Sequence, residues 1–145
     1  MAGPSLSMTL TNYSDHELTK WFVSSALTFN ETLNNKPSNT IKAHSGHTKM
    51  AASQSTLSAF GTDVYCILMG YHVNGMSFGI RCDQKAQVFG IGSAPTYSWC
   101  SSNKKWHEVD DSSIHTWTGN GVVVTATPTV QHDSISVDII VKNAS

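Results

Sequence analysis

The sequence predicts an all-β fold, a single-domain antiparallel β-sandwich over residues 1–145, and three observations carry this. Apolar residues recur at every second position near both ends. Leu6, Met8 and Leu10 alternate with Ser7, Thr9 and Thr11, and Ile135, Val137, Ile139 and Val141 repeat the pattern. That period belongs to a strand with one buried face. The pair Asn74-Gly75 lies between the apolar runs VYCILMGYHV and MSFGIRC, the signature of a two-residue hairpin. No segment sustains helical periodicity, and only 47–58 leaves room for a short helix.

The elements follow in order. Residues 6–11 form the first strand, and NYSDHE is a turn. TKWFVSSALTF, 19–29, is a second strand, broken or twisted near Ser24-Ser25. ETLNNKPSNT reads as a loop around Pro37, and 39–51 carries a short edge strand. The run 64–73 is too apolar for one solvated face and reads as a central strand covered on both sides. MSFGIRC returns beside it, and QKAQVFGIG supplies a third strand of a meander. Segments 114–117 and 121–127 flank a Gly-Asn-Gly turn, and 134–141 closes the chain. Eight or nine short strands in 145 residues suit a sandwich. A β-trefoil would need three similar units, and the tryptophans at 21, 99, 106 and 117 show no threefold spacing.

Composition narrows the partners. Charged residues make up 13% of the chain, about half of typical usage. Net charge is -1 and the pI about 6.6. Lys104-Lys105 is the one tight basic pair, so a nucleic-acid partner is not expected. A neutral sugar or a zwitterionic lipid surface fits better. MAGPSLSMTLTN has neither a basic n-region nor a long apolar run, and no stretch reaches the length of a membrane-spanning helix. Cytoplasmic synthesis without a classical signal peptide is expected, with action at target membranes after release. The sequons at Asn12, Asn30 and Asn143 are expected to be unused.

The three cysteines are Cys66, Cys82 and Cys100, an odd count. The Asn74-Gly75 hairpin sets Val73 opposite Met76 and residue 67 opposite Cys82. Cys66 then points to the other side of the sheet from Cys82, which predicts free thiols.

Chemistry-bearing motifs are absent. The seven histidines fit no H-E-x-x-H pattern and the cysteines no C-x-x-C spacing, so no metal is expected. Cys100 and His107 are close in sequence only, which does not make a nucleophile and its base. Asp110-Asp111 follow Glu108 and Val109 as an exposed acidic turn. The glycines form no phosphate loop. The expectation is a non-enzymatic protein with no catalytic residues and no cofactor.

Recognition is the better use of TYSWCSSNKKWH, 96–107. Tyr and Trp combine a large apolar face with a polar group, which suits binding hot spots, sugar stacking and membrane interfaces. Tyr97 and Trp99 share one side of an extended segment, and Trp106 lies beyond the Ser-Ser-Asn turn. Lys104 and Lys105 can meet phosphate headgroups. Asn103, His107, Asp110 and Trp117 complete the expected rim.

The chain resembles the aegerolysins, small membrane-lipid-binding β-sandwich proteins. The resemblance rests on length, mildly acidic composition, an early strand followed by an Asn-containing turn, the final strand ISVDIIVKN, and SFGIRC through YSWCSSNKKW. In place of the family's W-D-C-P-W-G-S-K run, Trp99-Cys100 is followed by Ser101-Ser102-Asn103-Lys104. The resemblance implies membrane-lipid binding, with Trp99, Lys104 and Trp106 approximating the lipid-facing turn, and a larger partner protein for pore formation. The early strand pattern is also similar to the actinoporin-like fold, although the first fifteen residues carry no amphipathic helix. Two other readings use the same aromatic surface. One is a sugar-binding lectin, with Asn103, Asp110 or Asp111 bonding to hydroxyls. The other is a structural homo-oligomer with the aromatics at a subunit interface.

Overall fold

Strand β1 (Ser5–Asn12) shows how the core is built: Leu6, Met8 and Leu10 are fully buried, while the alternating Ser and Thr face outward. The computed structural model describes residues 5–26, 31–54, 64–85, 95–109, 113–131 and 134–145. Twelve strands occur among these residues. The remaining eleven are β2 (Leu18–Ala26), β3 (Glu31–Asn35), β4 (Thr40–Ile41), β5 (Gly46–Gln54), β6 (Val64–Val73), β7 (Met76–Lys85), β8 (Thr96–Cys100), β9 (His107–Val109), β10 (His115–Gly119), β11 (Val122–Gln131) and β12 (Ser134–Asn143).

They form two six-stranded sheets packed as a β-sandwich. The first has the order β10-β11-β12-β1-β5-β3 and the second β4-β2-β6-β7-β8-β9. All pairings are antiparallel except that of β1 with β12, which run parallel with Leu6 beside Ile135, Met8 beside Val137 and Leu10 beside Ile139. These residues meet Ile67, Met69, Tyr71, Phe78 and Ile80 of the second sheet in one shared core. Each fully buried Leu, Ile, Val or Phe contributes roughly 1.5–3 kcal/mol. Tyr71 reaches through this core to donate its hydroxyl to the Ser38 carbonyl at 2.7 Å. Burial pushes its pKa up to about 12, against a smaller lowering by the Thr48 hydrogen bond.

Two hairpins have Asn-Gly tips. Asn74 and Gly75 have φ of 47° and 83°, and Asn120 and Gly121 have φ of 54° and 78°. Positive φ at both central residues is the type I′ turn that matches strand twist. The first hairpin has the expected register, with Val73 opposite Met76 and Ile67 opposite Cys82. All three cysteines are free and buried.

Four expectations change. ETLNN is strand β3 rather than loop, because it completes the edge of the first sheet against β5. The edge strand expected within 39–51 is two strands, β4 and β5, and β5 lies between β1 and β3 rather than at an edge. The irregularity in β2 falls between Lys20 and Phe22, not at Ser24-Ser25. The strand after β7 in the meander is β8, while most of the predicted strand QKAQVFGIG lies outside the described residues. No helix among the described residues is long and apolar enough to cross a membrane.

Candidate functional site

The stretch 96–107 does not form one patch. Successive residues of β8 point to opposite faces, and the aromatics divide accordingly. Tyr97 stands opposite Cys82 and Trp99 opposite Ile80, so both point between the sheets. Tyr97 is fully buried and Trp117 only 5% exposed. Tyr97's expected place on a binding rim is therefore corrected to the core, and Trp117 packs into the same core with only an edge exposed. Tyr97's hydroxyl is buried without a partner among the described residues, and burial raises its pKa.

Trp99 is half-buried at the rim of this core. It stacks on His115 at 3.6 Å and 10°, and on His107 at 4.4 Å and 22°. Two imidazoles at those offsets on one indole face would overlap, so they lie on opposite faces of Trp99. His107 is its direct cross-strand neighbour on β9, and His115 comes from β10 of the other sheet. Trp117 meets Trp99 edge-on and donates its indole N–H to the Cys100 carbonyl at 3.1 Å. Side chains thus join the edges of the two sheets.

A second cluster lies on the outer face of the second sheet. Gly70 and Gly79 are direct partners across β6 and β7. Without side chains they leave a shallow trough, and the Phe22 ring fills it. A Cβ on Gly70 would come 2.5 Å from that ring, and one on Gly79 would meet both Phe22 and the Cys100 sulfur at 2.6 Å. The irregularity after Lys20 also brings Trp21 onto this face, where its ring lies 5.0 Å from Phe22 and 5.4 Å from His72.

The connection from β8 to β9 folds back over this face. A hydrogen bond from Lys104 N to Ser101 O turns the chain, and Asn103 Oδ1 accepts from Lys105 N. Lys104 takes a left-handed φ of 59°. Its ammonium then sits 4.9 Å from the Phe22 ring centre and 5.5 Å from that of Trp21. Such placement is worth roughly 0.5–1 kcal/mol at an exposed site. Trp106 packs edge-on against Phe22 at 5.9 Å.

Of the expected site residues, Lys104 and Trp106 join this outer cluster. Asn103 and Lys105 are exposed beside it, and Asp110 lies outside the described residues. Trp99, His107 and Trp117 belong to the edge cluster. Trp21, Phe22, His72 and His115 were not expected. The signal for Phe22's seat was present: the hairpin register that places Val73 opposite Met76 also places Gly70 opposite Gly79.

Cys100 and His107 lie on opposite faces of the second sheet, so they do not form a pair. Burial pushes the Cys100 thiol up to about 11, despite the nearby Lys104 charge. No group of three or more His, Cys, Asp or Glu among the described residues could hold a metal ion. In comparisons with known proteins, no family model and no curated protein matches this chain.

Proposed function

We propose that the protein is a recognition protein that binds membrane lipid headgroups through the outer face of its second sheet. The observation that carries this reading is the placement of the Lys104 ammonium over Trp21 and Phe22, with Trp106 packed against the same ring. Indole rings favour the boundary between headgroup and acyl chain. Lysines at that level attract headgroup phosphate, each contributing about 1 kcal/mol at an anionic surface. Lys105 is exposed next to Lys104 and adds a second cation. The resemblance to aegerolysins points the same way. On this reading lipid recognition is the chain's own step, and any pore would be the work of a larger partner.

Co-sedimentation tests the proposal. Wild-type protein should pellet with phosphatidylcholine vesicles and more strongly with vesicles that also contain phosphatidylserine. Trp106→Ala should weaken binding about tenfold, the equivalent of about 1.4 kcal/mol. Lys104→Glu with Lys105→Glu should abolish the gain from phosphatidylserine. No pelleting with either vesicle, or binding unchanged by all three substitutions, would sink it.

A further inference from the structure

A groove of about 460 Å³ lies at the open edge of the sandwich beside the Trp99 stack, and neither Phe22 nor Lys104 lines it. One wall is β10 and its turn, contributing every residue from His115 to Asn120. Among the described residues β10 is the last strand of its sheet, so inward-facing and outward-facing side chains both border the groove. The opposite wall is Gly75 of the hairpin turn and Met76 and Ser77 of β7, with Ser101 and Ser102. Trp99 and Trp117 form the floor. The volume lies in the usual range of small-molecule sites, roughly 300–1,000 Å³.

The chemistry of the lining is selective. Among the described residues it contains no Lys, Arg, Asp or Glu. Its one titratable group among the described residues is His115, whose pKa is lowered by burial and by His107, so the neutral imidazole prevails at pH 7. The hydroxyls of Ser101, Ser102, Thr116 and Thr118 have no hydrogen-bond partner among the described residues. By contrast, Ser77 is taken by His72 at 2.7 Å, and the Asn120 amide by the Asn74 carbonyl at 2.9 Å. An ion finds no counter-charge among these described residues. An uncharged molecule rich in hydroxyls finds four hydroxyls, each both donor and acceptor, around an aromatic floor.

We propose that this groove is a binding site for a neutral saccharide. Both faces of Trp99 are covered by histidines, so the sugar lies against indole edges and is held chiefly by hydrogen bonds to Thr116, Thr118, Ser101 and Ser102. None of Trp21, Phe22, Lys104 and Trp106, which carry the lipid reading, lines this groove.

The test is a titration of the folded protein with glucose, galactose, mannose, N-acetylglucosamine and their short oligomers. Tryptophan fluorescence is the readout, because Trp99 and Trp117 lie under the ligand. At least one sugar should give a saturable change. Thr118→Val and Ser102→Ala, both at exposed positions, should each weaken it several-fold, while Trp106→Ala should leave it unchanged. A circular dichroism spectrum identical to wild type keeps the variants interpretable. The proposal is overturned if no sugar gives saturation or if the groove variants bind as wild type does. It is also overturned if Trp106→Ala alone removes the signal, or if only uncharged extended peptides compete for the groove.

Discussion

Trp99 and His115 stack at 3.6 Å across the opening between the two sheets, and this contact makes the edge of the sandwich sensitive to acid. His115 packs against Trp99 and Trp117, and its pKa is held below 6.5 first by burial and second by the charge of His107 on the far side of Trp99. The described rings packed against it are two indoles, with a second imidazole beyond Trp99 and no described carboxylate to stabilise a proton. The unfolded chain therefore takes up this proton before the folded chain does. Stability is complete above about pH 6.5 and falls as the pH drops through the lowered folded value. Urea midpoints between pH 7.5 and 5 should decline more steeply in wild type than in His115→Gln. Parallel pH profiles would refute the assignment.

Gly70 and Phe22 should be energetically coupled. The three atoms nearest a Cβ on Gly70 all belong to the Phe22 ring, at 2.5, 2.7 and 3.0 Å. Gly70→Ala should cost about 1–3 kcal/mol through overpacking. In a Phe22→Ala background the obstruction is gone. There the same change should be neutral, or stabilising by up to about 1 kcal/mol through the lost freedom of glycine in the unfolded chain. A double-mutant cycle from denaturant unfolding reads the coupling. A cost for Gly70→Ala that is the same in both backgrounds would show that the trough does not seat the ring.

How far the sequence reveals this arrangement depends on the residue. Alternation exposes the buried faces of β1 and β12 outright, and Asn74-Gly75 sets a register that the structure keeps over all ten pairs from Val73–Met76 to Val64–Lys85. Strand β3 is hidden because ETLNN has one apolar residue, so its place depends on a partner, β5, distant in the chain. The parallel pairing of β1 with β12 is hidden because a half-buried strand alternates in the same way whichever direction its neighbour runs. The aromatic richness of 97–106 is visible, but its division between two faces is not. A shift of one residue reverses every side chain in a strand, and the fold-back of Trp106 is decided by Phe22, on a strand far away in sequence.

Asn74 and Asn120 tie the two hairpin tips together, and Asn120 borders the groove. Asn74 Nδ2 donates to the Asn120 carbonyl at 2.7 Å, and Asn120 Nδ2 returns the bond at 2.9 Å. Each residue also adopts a left-handed φ that asparagine tolerates well. Replacement by Asp keeps the size and that tolerance but removes the donor. Asn74→Asp or Asn120→Asp should each cost about 0.5–1.5 kcal/mol. The double variant should lose more than the sum, because the two carboxylates then repel. Thermal unfolding at low salt reads both effects, and an additive double variant would show that the tips are not coupled.

Asn12 is the most demanding polar residue in the core. It is fully buried, and its side chain uses its whole hydrogen-bonding capacity. Nδ2 donates to the carbonyls of His16 at 2.7 Å and Lys42 at 3.1 Å. Oδ1 accepts from the Ser14 amide at 3.0 Å and the Ser14 hydroxyl at 2.7 Å. One side chain thereby shapes the turn after β1 and binds it to the segment between β4 and β5, and the sequon at Asn12 has a structural use. Asn12→Ala leaves these partners without their bonds and should cost about 2–4 kcal/mol. Asn12→Asp is the sharper variant, because it keeps the acceptor for Ser14 but turns a negative oxygen toward two carbonyls. At pH 7 it should cost about 3–5 kcal/mol, as an uncompensated buried charge does. Protonation restores one donor. Such a carboxyl has its folded pKa raised above its unfolded value, so the deficit of Asn12→Asp relative to wild type should shrink as pH falls from 7 toward 4. Urea unfolding of both variants across that range reads the difference. An Asn12→Asp protein within 1 kcal/mol of wild type at pH 7, or a deficit that grows on acidification, would contradict the role given to Asn12.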